Sequence, residues 1–290
     1  MEELTHRPDE LRWSVFRGTT AIADGLLTGA QLASTRTWRR LRRDVYCDAA
    51  LSPDHGLDCQ AVALSLPGPF YFSLASAAWL HGIDHAADFG DLVHVTVPPE
   101  SRGGRWAGVR TYQGRLDDAD RRLVDGLPVT SPQRTAWDIA ARLPVQEAVP
   151  ILDALLARAI VTPDELRDYA AARVGIRGYR KAEQALAVAD GRSRSPEASE
   201  LRLAIVEAGL PRPIPHYTVE TPSGELTQPE LAWPAYQVAL VFTRPGDAVP
   251  EGYEQAGWGV VRWHPWHNDD PAAVVRGVRN ALLARGWLRD

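Results

Sequence analysis

The residues of this chain best equipped for chemistry fall into a few groups. The densest is Arg36, Arg39, Arg40, Arg42 and Arg43, five guanidinium groups within eight positions. Guanidinium groups hold phosphate oxygens and guanine edges, so such a run is a footprint for nucleic acid. The formal net charge of the whole chain is -5, which excludes a generally basic protein and leaves any polyanion surface to a local patch. A second group is His264, His267, Asp269 and Asp270 in RWHPWHNDD. An HxxH spacing followed by two acids can ligate a transition metal. The competing reading is that Asn268 or Asp269 caps a last helix whose first turn holds Pro271, and on it no metal is expected. Trp258, Trp263 and Trp266 could stack on bases, but around a terminal strand they read as core. His81 and His85 are four apart with Gly82 between them and read as structural. Arg134 and Asp138, at i and i+4 on one helix, read as an ion pair that supports the fold. Cys47 and Cys59 match no zinc or redox spacing and are expected as reduced thiols.

The bulk composition narrows the class. At 290 residues, with 45% hydrophobic and 24% charged residues, the chain is expected to form two or three globular domains. No apolar run approaches the eighteen or so residues of a membrane span, and the start, MEELTHRPDELRW, is too polar and acidic for a signal peptide. A cytoplasmic protein with no membrane partner is the expectation.

The elements that must position the arginines come first in the chain. Residues 8–18 read as a helix with Leu11, Val15 and Phe16 on one side, and Gly25 breaks it. Residues 26–46, LLTGAQLASTRTWRRLRRDVY, then read as a small helix, a tight turn, a second helix from Ser34 to about Leu41, and a strand. Ser34 or Thr35 would cap that second helix, Trp38 and Leu41 would face inward, and the arginines would project. DVYCDA alternates like the strand of a wing. Helix, turn, basic helix and wing together predict a winged helix-turn-helix. Next come apolar helices at 57–66 and 73–82, strands in LVHVTVPP and GVRTYQG, a short strand in GLPVT, and a helix opened by Thr130 or Ser131 with Pro132 in its first turn. Two amphipathic stretches follow to about Leu186. After the polar segment DGRSRSPEAS the pattern is helix, strand in PIPHYTVET, strand in LTQPELAWP, strand in YQVALVFT, helical EGYEQAG, strand in WGVVRWHP, and a terminal helix. The unbroken apolar run of YQVALVFT predicts a central strand.

The order LLTGAQL…WRRLRRDVY, SAAWLHG, VTVPPESR, GLPVTSPQRTAWDIA resembles actinobacterial proteins with an AbiEi-type antitoxin N-terminal domain. That resemblance implies a winged helix followed by a small α/β domain, with Arg36, Arg39, Arg40, Arg42 and Arg43 on the DNA-contacting element. SPEAS, PELAWP and AGWGVVRW followed by a helix resemble the very-short-patch-repair-like branch of the PD-(D/E)xK endonucleases. The expected organisation is α+β / α/β multidomain: a winged helix-turn-helix at 1–55, a middle α/β domain with helices at 56–190, and a PD-(D/E)xK-like restriction-endonuclease fold at 191–290.

A PD-(D/E)xK site holds Mg²⁺ on carboxylates that converge from adjacent strands. By resemblance Glu230 stands at the first acidic position. At the second, where the family has a glutamate, this chain has Val241, and Thr243 stands where an aspartate would follow. Glu197 and Glu200 flank the helical position of the family's glutamate, which is Ala198 here, and a one-residue shift on a helix turns a side chain by about 100°. The chain's one lysine, Lys181, precedes the domain. The expectation is a degenerate nuclease fold with no cofactor. The alternative is a Mg²⁺-dependent endonuclease using Glu197, Glu200 and Glu230 in a rearranged site. The resemblance also implies double-stranded DNA as partner and a nucleotidyltransferase-like toxin as a second; a homodimer, supported by the middle and C-terminal domains, is a further expectation.

Overall fold

The computed structural model describes residues 6–101, 104–244, 252–264 and 270–288. The chain divides into two compact units, one formed by Met1–Ile139 with Asp164–Arg173 and the other by Ala140–Pro163 with Val174–Asp290. Both mix helices and sheets, so the protein is of the α+β class with several sheets. Among the described residues no helix is long and apolar enough to cross a membrane.

The first unit corrects the expected opening helix. Only Asp9–Leu11 makes a helical turn, of the 3-10 kind, and Val15–Arg17 is strand β1. Trp13 sits in the left-handed region at φ 56° and interrupts any helix there. Phe16 then serves the strand's inner face, edge-on to Trp38 at 5.1 Å and stacked on Tyr46 at 6.3 Å. Helix α1 (Gly18–Ala23) and the single turn α2 (Gly29–Leu32) follow. Thr28 and Gln31 close a capping box at the start of α2, each side chain satisfying a backbone N–H that the short helix leaves open.

The largest correction concerns the arginines. Residues 34–41 are not a helix: Trp38–Arg42 is strand β2, antiparallel to β3 (Val45–Asp48). A three-residue interval between Trp38 and Leu41 fits a helix face, yet a strand partner overrides it. The sequence after Asp44 alternates, and Asp44 at φ 59° makes a tight reversal that folds β3 back on β2. Trp38 is thereby sunk to 2% exposure among Leu11, Phe16, Ala21, Leu27 and Leu32. The three strands form a sheet of order β1-β3-β2.

The rest of the unit follows expectation more closely. Helix α3 is His55–Ser65, capped by Asp54, and β4 is Tyr71–Phe72. Helix α4 is Leu74–Leu80, β5 Val93–Val97 and β6 Val109–Gln113. Strand β7 (Arg121–Val124), which no pattern in the sequence suggests, forms a hairpin with β8 (Leu127–Thr130). These make a five-stranded sheet of order β6-β5-β4-β8-β7, whose inner face buries Phe72, Val93, Val95 and Val129 against Cys59, Val62 and Ala77. Helix α5 (Pro132–Arg142) begins where expected, with Ser131 Oγ accepting from Arg134 N–H at 3.3 Å. Helix α6 is Val145–Ala157, α7 Pro163–Ala171 and α8 Tyr179–Val188.

The second unit takes α6 and α8, which the sequence pattern assigns to the middle region, and packs them with α9 (Pro196–Glu207). The polar segment before α9, whose composition suggests a linker, is tied down. The fully buried Arg202 donates to Asp153 Oδ2 at 2.6 Å, to Ser193 Oγ at 3.2 Å and to the Val188 carbonyl, and Asp153 also accepts from Asp190 N–H at 2.6 Å. The expected strand at 213–220 is split by His216, at φ 50°, into β9 (Ile214–Pro215) and β10 (Val219–Glu220). The next splits before Pro229 into β11 (Leu226–Thr227) and β12 (Leu231–Trp233). Strand β13 (Val238–Phe242), short helix α10 (Gly252–Gln255), β14 (Gly259–Trp263) and α11 (Pro271–Ala284) complete the chain. The sheet order is β14-β13-β12-β9, with β13 and β14 parallel, so β13 is central as its apolar run requires. The helix cap falls one residue later than expected: Asp270 accepts from Ala273 N–H at 3.2 Å.

Candidate nucleic-acid interface

The β2–β3 hairpin and the turn before it sort the five arginines into two kinds. Arg36, Arg40 and Arg43 are exposed. Among the described residues no hydrogen bond or ion pair engages the side chains of Arg36 and Arg43, and Arg40 spends only its Nε, on the Arg42 carbonyl at 3.2 Å. Arg39 and Arg42 are half-buried and committed to the fold. Arg39 donates to the carbonyls of Ala49 and Leu51, both at 3.2 Å, and Arg42 to that of Ala107. Burial holds the Arg42 guanidinium below its ordinary pKa, partly offset by the charge of Asp58. The sequence alone makes the five equivalent; pleat and bulge make them different. The ladder slips between Arg40 and Arg42, which puts Leu41 out of register and sends Arg42 toward residue 107 rather than outward.

Asp44 holds the hairpin's turn. It accepts from Thr19 N–H at 2.8 Å and from the Thr19 hydroxyl at 2.7 Å. The Thr19 hydroxyl keeps its carboxyl below the usual range despite a small burial penalty, with Arg17 and Arg40 adding smaller effects. Of the exposed guanidinium groups, Arg43 stands on this anchored turn, Arg40 on the strand β2 that leads to it, and Arg36 ahead of β2.

Two buried constellations in the same unit are complete in themselves. Arg134 donates from Nε to Asp138 at 2.7 Å, as the spacing predicts, and from Nη1 to Asp120 Oδ2 and the Arg115 carbonyl, both at 3.0 Å. Asp120 also accepts from Tyr169 O–H at 2.6 Å, and Arg173 lies 3.6 Å from it while stacking 3.3 Å over the Tyr169 ring. Asp120, Tyr169 and Arg173 escape a reading of the sequence, because nothing local links them to Arg134. The second constellation runs through Ser76, which accepts from His94 N–H at 2.8 Å and lies 2.8 Å from His55 Nε2, while His55 Nδ1 faces the Asp88 carbonyl at 3.2 Å. A Ser–His pair this deep, with both residues fully buried, serves packing rather than nucleophilic attack. Cys59, also buried, has its thiol pushed far up by desolvation, and Cys47 is raised for the same reason; both are free thiols, as expected. His81 Nε2 lies 2.8 Å from the Thr130 carbonyl, a structural role.

In the second unit the acidic residues of the nuclease reading are differently disposed. Glu197 and Glu200 are exposed on α9. Glu230 is half-buried and accepts from Phe242 N–H at 3.1 Å, beyond the Leu231–Leu240 end of the β12–β13 ladder. Burial raises its carboxyl above the ordinary value. Val241 is 7% exposed and packs with Ala239, Tyr253 and Trp258, so the face where a second carboxylate would stand is filled by an apolar core. Thr243 is buried too, its Oγ1 2.9 Å from His264 Nδ1. Among the described residues no three His, Cys, Asp or Glu side chains gather as a metal would require. His267, Asp269 and Trp266 lie outside the described residues. Trp258 and Trp263 are core, at 9% and 5% exposure.

Fold and hairpin define a class first: a multidomain α+β protein with a small β-hairpin unit ahead of a five-stranded sheet. Residues 71–188, from β4 to α8, match the family model for the AbiEi antitoxin C-terminal domain. The chain is also 31% identical over 194 residues to the uncharacterized protein Rv2248 of Mycobacterium tuberculosis and to its counterpart MT2308 in a second strain, covering 67% of this chain and 70% of the relative. The chain belongs to the same family as these two proteins, and its residues 71–188 form an AbiEi antitoxin C-terminal domain. A crystal structure of the Mycobacterium tuberculosis protein Rv2827c is similar at a TM-score of 0.41 and 18% identity, over 74% of this chain and 85% of that one.

Proposed function

We propose that this protein is a DNA-binding regulator of the antitoxin kind. In this reading residues 15–48 act as a winged helix, with α2 and the turn after it in the groove and the β2–β3 hairpin as the wing on the backbone. The observation that carries it is the solvent-facing trio, Arg40 and Arg43 on an anchored hairpin and Arg36 just ahead of it, in a chain of net charge -5. A local cationic edge on an otherwise acidic protein suits phosphate contact without general adhesion to polyanions. The AbiEi antitoxin match at 71–188 supports the same direction. It also brings in a cognate toxin, of nucleotidyltransferase type, as the second partner.

The C-terminal unit serves in this reading as a nuclease-like fold without catalysis. The order α9, antiparallel strands, α10, parallel β14, α11 supports the PD-(D/E)xK likeness, and the buried Val241 supports the loss of cleavage. The double-stranded region upstream of the protein's own gene is the substrate for the test. Binding is measured by mobility shift across a salt series, and cleavage is followed with and without Mg²⁺. We expect a shifted complex and intact DNA. Replacing Arg36, Arg40 and Arg43 by alanine should weaken binding and flatten the slope of log affinity against log salt by about 2 to 3, roughly 0.9 for each phosphate no longer neutralised. An unchanged slope would remove the hairpin from the interface, and Mg²⁺-dependent cutting would restore the endonuclease reading.

A further inference from the structure

Among the described residues strand β7 pairs with β8 alone and forms an edge of the five-stranded sheet. Its parity follows from the turn. Asp125 and Gly126 have φ of 49° and 79°, a two-residue primed hairpin whose flanking pair, Val124 and Leu127, is hydrogen-bonded. Pair types alternate along an antiparallel ladder, so Arg122–Val129 is hydrogen-bonded too, and Ser131 N–H continues the series by donating to the Asp120 carbonyl at 2.8 Å. The N–H and C=O of Arg121 and Leu123 therefore point away from β8. Pro128, which has no N–H, stands opposite Leu123 without leaving a gap in the ladder. Arg122 Nη1 covers the Arg121 carbonyl at 2.8 Å. Leu123 keeps an outward N–H and C=O side by side, and its side chain is 74% exposed.

We propose that β7 is a self-association edge, pairing antiparallel with β7 of a second copy of this chain about a two-fold axis at Leu123. The residue's outward donor and acceptor are self-complementary, so one axis forms two N–H···O=C bonds and sets Leu123 against its counterpart. The same register brings Arg121 beside the hairpin turn of the second copy, where Asp125 is exposed. Each copy thus contributes one cation and one anion to two symmetric pairs flanking an apolar contact. Arg121 already rests 5.6 Å over the Tyr71 ring and donates to the Leu116 carbonyl at 2.6 Å and to Asp118 at 3.0 Å. It is therefore held in place before the second copy arrives. A lone edge strand usually carries charges that repel another copy; here the charges match under the two-fold operation.

The inference is independent of DNA binding. Sedimentation equilibrium of the full chain, without DNA, from low micromolar to a few hundred micromolar should show a reversible monomer–dimer equilibrium. Leu123→Glu, which opposes two carboxylates across the axis, should raise the dissociation constant at least tenfold. Asp125→Asn keeps a side chain that tolerates the left-handed turn and should raise it about threefold, with a smaller salt dependence than the parent. Leu123 donates and accepts no hydrogen bond within the β7–β8 pair, and asparagine adopts the left-handed turn as aspartate does, so thermal unfolding followed by circular dichroism should be unchanged at low concentration. A parent that stays monomeric throughout, or a Leu123→Glu variant as dimeric as the parent, would overturn the proposal.

Discussion

At the scale of single residues, the arginines separate by what their guanidinium groups already hold. Arg39 satisfies two backbone carbonyls, so Arg39→Ala should cost about 1–3 kcal/mol in stability, near 1 kcal/mol for each bond. Urea denaturation would show a lower midpoint. Arg36→Ala should change stability by less than about 0.5 kcal/mol, as exposed substitutions do, and should act on DNA binding instead. This distinction cannot be read from RTWRRLRR. Composition announces a phosphate-seeking patch, but which side chains fold back depends on the slip between Arg40 and Arg42 and on a carbonyl at residue 107, far along the chain. Glu230 teaches the same lesson in reverse. Its position is legible by resemblance, and the absence of an acid at Val241 is plain, but its use as acceptor for the Phe242 amide emerges only where the ladder ends.

At the scale of elements, most helices and the buried strands are legible, because apolar periodicity is strong in α5, α6, α11 and β5 and an unbroken apolar run marks β13. The failures come where a local signal meets a tertiary one. Ser34–Leu41 carries good helix formers and a plausible cap, yet strand pairing with β3 buries Trp38 more completely. Residues 8–18 lose their helix because Val15 and Phe16 complete the same sheet. Strand β7 stays invisible since RRLV has one apolar pair and no alternation to a core. The network around Asp120 is half legible: Arg134 and Asp138 share a helix, whereas Tyr169 and Arg173 arrive on and after α7. Asp120→Ala should leave Arg134 with Asp138 but strip Arg173 and the Tyr169 hydroxyl of their shared acceptor. Loss of one partner of a buried ion pair typically costs about 3–5 kcal/mol, and Asp138 should hold the loss here near the lower figure. Hydrogen exchange should show α7 deprotected ahead of the five-stranded sheet; equal protection would deny α7 this anchor.

At the scale of the whole molecule, the buried histidines set the acid limit. Burial holds His94 down to about 4, with the neighbouring charges of His55 and Arg110 lowering it further and Asp91 opposing; His55 and His81 are also lowered, chiefly by burial. The nearby Asp54, Asp58 and Asp91 oppose the shift of His55, and Arg122 reinforces that of His81. Between the unfolded histidine value near 6.5 and the lowered folded values, the unfolded chain binds more protons than the native one, so stability must rise with pH there. The contribution is present above about 6.5 and is lost as pH falls toward 4. Urea midpoints at pH 7.5, 6 and 5 should decline in that order. His94→Gln should flatten part of the decline, and a flat series in the parent would contradict a neutral, half-buried His94.

The path of the chain has a consequence for how such a protein can be shortened or recombined. Helices α6 and α8 belong with the C-terminal strands, while α7 between them belongs with the N-terminal sheet. No single cut therefore yields two whole pieces. A gene fragment ending near residue 190, where composition invites a boundary, keeps Asp153 and discards Arg202, leaving a buried carboxylate without the cation that held it. A C-terminal unit grafted from residue 191 onward would carry the converse fault, a buried guanidinium with no anion. Exchange of the C-terminal part between relatives must then carry α6 and α8 along with it, and the heritable module is a discontinuous one.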